Sequence, residues 1–234
     1  MATEIRRPAG KSGKQAPNGF VRPKTAQQAV TDALRDEIIT GVRAPGTQIV
    51  QEALAEQFQM SRIPIREALK TLEAEEHVVY EPHSGYRVTK LGLDELSEVF
   101  RLRDILEEEL IRDALPLLTD DVVDRMRSAM AEMDDAAARG DLVTIGKANR
   151  RFHYLVFEAS LMERTKRIVN QLWNTADAYR PLYAGLLDIA KVNAEHVFIV
   201  DAVADRDVEQ VVKLNYEHRK HSIDHLRRVL GDAS

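Results

Sequence analysis

Apolar residues recur at two different periods along the first third of the chain. From Thr25 they recur every three or four residues, with Gly41 as a stop. Ser61 suits an N-cap and Pro64 lies in a first helical turn, where a missing N–H costs little. Alternating segments then flank Pro82 to Gly85. The pattern predicts helices from Thr25 to before Gly41, over 51–58 and over 62–76, and β-strands over 77–81 and 85–89.

After Leu91 no segment alternates in the manner of a strand. Amphipathic periodicity predicts six helices, at roughly 93–114, 120–138, 142–160, 162–179, 186–204 and 207–230. Short connections between successive helices favour antiparallel neighbours in a bundle. We therefore expect a mainly α protein with a domain boundary near residue 90.

The order of elements in the first stretch is that of a winged helix-turn-helix. We predict that 25–90 form such a domain, with the helix-turn-helix over about 50–70. In this motif the second helix enters a DNA major groove. Arg62, Arg66 and Lys70 are four residues apart and form one cationic stripe on that helix. Arginine suits this position because its planar fork binds guanine or phosphate in bidentate fashion. The alternative is ordinary surface cations paired with acidic neighbours, Glu67 or Glu73.

Net charge gives a misleading first impression of the partner. A formal charge of −5 argues against a nucleic acid held by bulk charge alone. However, residues 1–24 hold six basic residues against one acidic, whereas 25–90 hold seven against ten and 91–234 hold 20 against 27. We interpret 1–24 as a disordered basic arm, with a passive leader as the alternative. We expect sequence-specific, salt-sensitive binding to DNA through a few arginines on one helix face.

Composition excludes several classes of protein. Cysteine is absent, which excludes disulfide scaffolds, zinc sites with cysteine ligands and thiol catalysis. No apolar run approaches the ~18 residues that a membrane span needs. The first residues also have no hydrophobic core of a signal peptide. A cytoplasmic protein without a membrane partner is the expectation.

The run Ser61 to Leu69 reads SRIPIREAL. It is accompanied by Gly41, Pro45-Gly46, Leu54-Ala55-Glu56, Leu72, Gly85 and Val88. Together these residues resemble the GntR superfamily of bacterial repressors. The resemblance implies that Arg62 and Arg66 are principal operator contacts, that Ser61 and Lys70 are further DNA-binding candidates, and that the wing tip at Gly85 approaches the minor groove.

Two positions depart from this family pattern. Glu52 stands where some members carry a further DNA-contacting arginine. His77 replaces the usual glycine before the wing, and we expect it to affect local turn geometry only.

Histidines in the second stretch suggest a metal site. Asn149 and His153 are one helical turn apart, and later helices carry His196 and His218. Three imidazoles and one oxygen suit Zn²⁺ or Ni²⁺. Spacing alone leaves alternatives open: hydrogen-bonded core histidines, or an inward-facing His221 or His225 in place of His218.

Five further segments carry a second resemblance: Arg103-Asp104-Ile105-Leu106-Glu107, Asn149-Arg150-Arg151-Phe152-His153, Glu195-His196, Asp205-Arg206-Asp207 and His218. Over about 96–228 they resemble the FCD effector domain of the FadR-like branch. The resemblance implies that Asn149, His153, His196 and His218 bind the metal. Asn149 supplies a neutral carbonyl instead of a carboxylate, which should weaken the Coulomb attraction.

Arg103 and Arg150 are candidates for binding an anionic effector, because an arginine inside a bundle requires an anionic partner. An internal pair between Arg103 and Glu107 is the alternative. Aromatic residues could line the pocket or simply pack: Trp173, Tyr179 and Tyr183.

These features predict a ligand-responsive DNA-binding transcriptional regulator, a repressor rather than an enzyme. Residues 91–234 would bind a small carboxylate effector at the metal and form a homodimer on a double-stranded operator. The chief alternative is a metal-dependent hydrolase or lyase acting on a small carboxylate, since three histidines can activate water. Against it, the sequence places no obvious general base, and Glu195 is expected to point away from His196. A bundle without metal is a third possibility.

Overall fold

The computed structural model describes residues 24–231, so 1–23, nearly all of the predicted basic arm, and 232–234 lie outside the described part. A short 3-10 turn follows the fourth helix at Leu115–Leu117. The elements are α1 (Ala26–Ile39), β1 (Gln48–Ile49), α2 (Gln51–Gln57), α3 (Arg62–Ala74), β2 (Val78–Glu81), β3 (Gly85–Val88), α4 (Leu93–Ala114), α5 (Asp121–Ala138), α6 (Leu142–Phe157), α7 (Glu163–Tyr179), α8 (Pro181–Ala184), α9 (Ile189–Ala204) and α10 (Val208–Gly231).

Capping residues define where the N-terminal helices begin. The Thr25 side chain accepts a bond from the Gln28 N–H while the Gln28 side chain accepts from the Thr25 N–H, a capping box that starts α1. Ser61 occupies the N-cap position of α3 as predicted, but its side chain makes no capping bond within the described part of the chain. Pro64 lies in the first turn of α3.

The wing is a three-stranded antiparallel sheet in the order β1-β3-β2. Glu81 pairs with Gly85 at the tip, and Val78 pairs with Val88 at the base. The hairpin was predicted from the sequence, whereas β1 was not, because a strand of two residues is too short to show alternation. Its Gln48 pairs with Arg87.

The C-terminal domain is all helical, which confirms the predicted fold class. The six predicted helices are present, and a short α8 lies at the predicted break between Pro181 and Gly185. Apolar faces of α4 to α7, α9 and α10 form one core that contains Met126, Met133, Phe152 and Trp173. Among residues 24–231 no helix combines the length and the apolar character that a bilayer crossing requires.

The two domains pack directly against each other. Tyr179 and Tyr183 belong to the same apolar cluster as the core of the N-terminal domain. The Leu91 N–H donates to the Tyr179 hydroxyl at 2.5 Å. Gly41 has φ +77°, and a Cβ there would lie 2.5 Å from Pro181 Cγ, so only glycine permits this contact. Residues of α7 and α8 therefore pack against the N-terminal domain.

His77 lies in this junction. It is 4% exposed and lines a small cavity with Ile38, Leu91 and Tyr179. Its Nε2 has no hydrogen-bond partner within the described part of the chain, and the Glu75 carboxylate is 3.9 Å away. The expectation that His77 affects only turn geometry is therefore too narrow.

Burial of His77 predicts a pH-dependent stability. Burial lowers its pKa to about 4, while Glu75 opposes and Arg35 and Arg150 reinforce the shift. Between pH 6.5 and 4 the unfolded chain binds more protons, so the free energy of unfolding falls as pH falls. From pH 7 to pH 5 we expect wild type to lose about 2 kcal/mol more than His77→Gln in urea denaturation. Equal losses in the two proteins would contradict this assignment.

Candidate functional site

The second helix of the helix-turn-helix presents a cationic face. Apolar side chains recur every three or four residues of α3 and are buried: Ile65, Ala68, Leu69 and Leu72. The opposite face exposes the predicted stripe of Arg62, Arg66 and Lys70. Within residues 24–231, Arg66 and Lys70 have no ion-pair partner within 4.0 Å, so the alternative pairing with Glu67 or Glu73 is not observed.

The wing tip is open to solvent on one side. His83 and Gly85 have φ +67° and +82°, which produces the tight turn between β2 and β3. A Cβ at Gly85 would meet no atom of residues 24–231 within 4 Å. A backbone without a side chain at this point can approach a phosphate or a groove closely.

Glu52 contacts helix α3. Its carboxylate lies 3.1 Å from the Arg62 guanidinium, and both side chains are exposed. If Arg62 contacts DNA as predicted, a carboxylate at this place would repel the phosphate and compete with it for the guanidinium. The departure from the family pattern therefore lies beside the cationic stripe of α3 that was predicted to bind DNA.

Removing this carboxylate should strengthen DNA binding. We expect Glu52→Gln to raise operator affinity about three- to tenfold at low salt, because a repulsion ends and Arg62 is released. Titration of a labelled operator measures the change. Glu217→Gln on α10, an exposed residue, removes the same charge far from α3 and is expected to have no effect. Equal gains in both variants would show only a net-charge effect.

Three histidines from three helices converge in the C-terminal domain. His153 on α6, His196 on α9 and His218 on α10 have ring centroids 4.6 to 5.4 Å apart, and one nitrogen of each lies within 4.8 Å of the others. His153 and His218 border a cavity, the histidine cavity, and Asn149, one turn before His153, lines it too. His221 lies outside the cluster, with 54% of its side chain exposed. Of the three candidates for the third histidine, His218, His221 and His225, the structure brings His218 into the cluster.

Side-chain oxygens orient all three imidazoles. The Nδ1 atoms lie 3.0 Å from Asn215 Oδ1 for His153, 3.2 Å from Asn193 Oδ1 for His196 and 2.8 Å from Glu195 Oε2 for His218. The Asn215 amide nitrogen donates to the Val211 carbonyl and that of Asn193 donates to Asp134, which turns both amide oxygens toward the histidines. Since each Nδ1–H donates to an oxygen, each Nε2 keeps its lone pair.

Burial keeps these imidazoles neutral. It lowers the pKa of His153 and His196 well below the usual value, and the neighbouring His218 acts in the same direction. Burial also lowers the pKa of His218, although Glu195 opposes it. The Nε2 atom of His196 is buried and has no hydrogen-bond partner within the described residues. Neutral imidazoles with free Nε2 atoms fit a divalent metal ion.

Glu195 has a role at the site that the sequence did not predict. Its two carboxylate oxygens lie 2.8 Å from His218 and His221. Helical periodicity placed Glu195 away from His196 on α9, yet α10 packs against that other face. The sequence analysis also missed Asn193 and Asn215. The one sequence feature that could have indicated them is that each lies three positions before a candidate histidine ligand.

A buried charge network forms one wall of the histidine cavity. Glu107 is fully buried and accepts bonds from Arg103 Nε at 2.8 Å, from Trp173 Nε1 at 2.8 Å and from Arg219. Arg219 Nε donates to Asp104 at 2.5 Å. Arg103 thus makes the internal pair weighed as the alternative, and it also lines the cavity. Arg219 was missed, although it directly follows His218.

Arg150 lies elsewhere. Its guanidinium donates to Asp177 at 3.0 Å and to Asn170 at 2.7 Å, and it lines a cleft toward the N-terminal domain instead of the histidine cavity. Arg180, from the end of α7, reaches the histidine cavity. Of the aromatic candidates, Trp173 and Tyr183 line that cavity, whereas Tyr179 lies in the domain junction.

The histidine cavity has an inner and an outer chamber. The inner chamber is small, about 20 Å³, and borders Asn149, His153 and His218. The outer chamber has a volume of about 260 Å³ and shares Asn149, Arg180 and His218 with the inner one. Both signs of charge line the outer chamber: the bases are Arg180, Lys191 and Arg228, and the acids are Asp188, Glu195 and Asp224.

Two family models match the chain. The model described as FCD domain matches residues 98–221, and the model described as bacterial regulatory proteins, gntR family, matches residues 26–88. Together they cover both domains of the described structure.

Known proteins are similar along most of the chain. The uncharacterized HTH-type transcriptional regulator YdhC of Bacillus subtilis is 26% identical over 86% of this chain and 90% of its own length. The HTH-type transcriptional regulator McbR of Escherichia coli is 28% identical over 62% of this chain and 65% of its own length. The solved structure of E. coli McbR/YncC has a TM-score of 0.80 at 23% identity, over 88% of this chain and 99% of that one. This structural likeness confirms the fold.

Proposed function

Since this chain belongs to the gntR family of bacterial regulatory proteins and carries an FCD domain, we propose that it is a ligand-responsive repressor. Like its relatives, it is a DNA-binding transcriptional regulator; it is not an enzyme. A small carboxylate that enters the histidine cavity releases it from operator DNA. The observation that carries the proposal is the convergence of three histidines beside a chamber lined by arginines.

Asn149, His153, His196 and His218 hold a divalent ion, Zn²⁺ or Ni²⁺, in this proposal. The ion supplies a positive charge for an incoming carboxylate. The nitrogen ligands are held in place by Asn193, Glu195 and Asn215, and such supporting bonds typically contribute about 10- to 100-fold in metal affinity.

Arginines supply the remaining recognition of the carboxylate. Arg103 and Arg219 are held by Glu107, and both residues line the inner chamber. Arg180 borders both chambers. A planar guanidinium binds a carboxylate through two parallel hydrogen bonds, which selects a carboxylate over a neutral ligand. Arg150 contributes nothing to this cavity, since it does not line either chamber.

A homodimer completes the proposal, because two recognition helices can then meet two half-sites of a near-palindrome. Exposed apolar side chains on α4 and α10 support a subunit contact there: Leu102, Ile105 and Tyr216 are 41 to 52% exposed. Ile105 and Tyr216 line a surface cavity of about 300 Å³ that also borders Arg219. This face therefore connects the effector chamber to the subunit contact. A regulator of bacterial operators acts in the cytoplasm.

The decisive experiment measures operator affinity with a panel of small carboxylates. With the metal-loaded protein we expect at least one di- or hydroxycarboxylate to weaken operator binding about tenfold or more, the usual scale of coupling between two sites. Chelated protein and the His153→Ala variant should bind operator but lose the response. In a reporter strain, the same compound should restore transcription from an operator-bearing promoter. A response that survives both chelation and His153→Ala would refute this site.

A further inference from the structure

The junction between the domains contains a second cavity, of about 250 Å³, distinct from the histidine cavity. It lies between the end of α1 and helices α6, α7 and α8. We propose that this junction cavity is a second ligand site, which binds an apolar monocarboxylate and thereby adjusts the position of the DNA-binding domain. The proposal does not need a bound metal, although Arg180 lines the junction cavity as well as the histidine cavity.

Most of the wall is aliphatic. Ile39 comes from α1, Leu142 and Val143 from the first turn of α6, and Pro181 and Ala184 from α8. Leu142 and Val143 are each 42% exposed, so apolar surface faces the cavity mouth uncovered. Covering such surface with an apolar ligand is favourable, because it removes that surface from water.

Cations concentrate at one end of the cavity. The Asp177 carboxylate lies 3.0 Å from Arg150 and 3.2 Å from Arg180, and it is only 5% exposed. Two guanidiniums share one carboxylate, so this end keeps one net positive charge. The nearby Lys147 is paired with Asp36 of α1 at 3.1 Å. One further carboxylate would balance the charge, which selects a ligand with a single acidic group.

A glycine keeps space for this arrangement. Gly146 faces the side chain of Arg180, and a Cβ there would lie 3.3 Å from Arg180 Cδ. Gly146 therefore leaves room beside α6 for Arg180, whose Nε donates to Asp177 at 3.2 Å. The sequence predicted Arg150 as an effector contact. Arg150 does not line the histidine cavity but borders the junction cavity.

The location connects occupancy to the DNA-binding domain. Ile39 and Thr40 in the cavity wall directly precede Gly41, whose backbone packs against Pro181. A ligand between α1 and α8 contacts both sides of this junction. Binding energy that differs between two placements of the domain shifts the balance between them.

Octanoate, which has one carboxylate and an aliphatic chain, is the probe for calorimetric titration of the whole protein. We expect saturable binding by wild type, with or without a chelator, and at least tenfold weaker binding of octanol, which has no charge. Val143→Trp fills the cavity mouth and should weaken octanoate binding at least tenfold. Val197→Trp on α9, where Val197 is 45% exposed, is the matched control and should bind within twofold of wild type.

Three outcomes would overturn the proposal. These are absence of saturable octanoate binding, equal affinity of Val143→Trp and wild type, and loss of binding in His153→Ala with retention in Val143→Trp. The last would place octanoate in the histidine cavity. Thermal melting of each variant checks that it is folded, and the octanol comparison needs no variant. Because none of these results depends on metal or on the effector of the histidine cavity, failure here leaves the proposed function untouched.

Discussion

Replacing Arg66 with alanine should abolish specific operator binding while the free energy of unfolding stays within about 0.5 kcal/mol of wild type. Arg66 is exposed at the centre of the α3 stripe and, within the described part of the chain, has no ion-pair partner to lose. A bidentate contact to a base contributes about 1–3 kcal/mol, and a dimer makes it twice, so about 2–6 kcal/mol is at stake. Fluorescence anisotropy with a labelled operator and urea denaturation measure the two quantities.

A second arginine provides the control for Arg66. Arg164 near the start of α7 is also exposed and unpaired among residues 24–231, so Arg164→Ala removes the same charge far from α3. We expect its operator affinity to stay within twofold of wild type. Undiminished binding by Arg66→Ala would remove the claim that α3 reads the operator.

Loss of a histidine ligand should remove the stabilisation that a bound metal provides. At a free metal concentration of 100 times Kd, binding stabilises the folded state by about 2.7 kcal/mol. For a chain of this length that corresponds to a melting temperature about 5–10 °C higher with metal than after chelation. We expect this shift in wild type and none in His153→Ala, because two histidines and a neutral amide hold the ion too weakly. Differential scanning fluorimetry with Zn²⁺ or Ni²⁺ and elemental analysis measure both effects.

His225→Ala is the matched control for this prediction. His225 lies two turns beyond His218 on α10 and lines only the outer chamber, so its loss should leave the shift intact. Asn149→Asp supplies a variant that gains function, because an added negative charge beside the ion should raise metal affinity. No metal in purified protein and no shift on chelation would refute the metal assignment.

The periodicity of the sequence was sufficient for the local structure. Helix α4 begins and ends at the predicted residues, and the hairpin strands agree with the prediction to within one residue at each end. The inward and outward faces of α3 also follow from spacing, since Ile65 and Leu69 are buried and Arg66 is exposed. Local spacing determines these features because side chains three or four residues apart share one face of a helix.

Periodicity could not predict which part of the chain packs against each buried face. Glu195 lies on the side of α9 that spacing assigned away from His196, yet α10 brings His218 and His221 to it. Arg103 and Arg150 looked equivalent in the sequence, but only Arg103 borders the histidine cavity. His77 was assigned a turn, although α7 buries it.

The sequence by itself therefore determined the order of helices and strands, the cationic stripe of α3 and the residue types available for a metal site. Only the tertiary structure decided that His153, His196 and His218 meet, that Asn193, Glu195 and Asn215 orient them, and that Arg150 belongs to the domain junction. The physical reason is that spacing along a helix reports which face is buried, whereas the packing of helices far apart in the chain selects what that face touches.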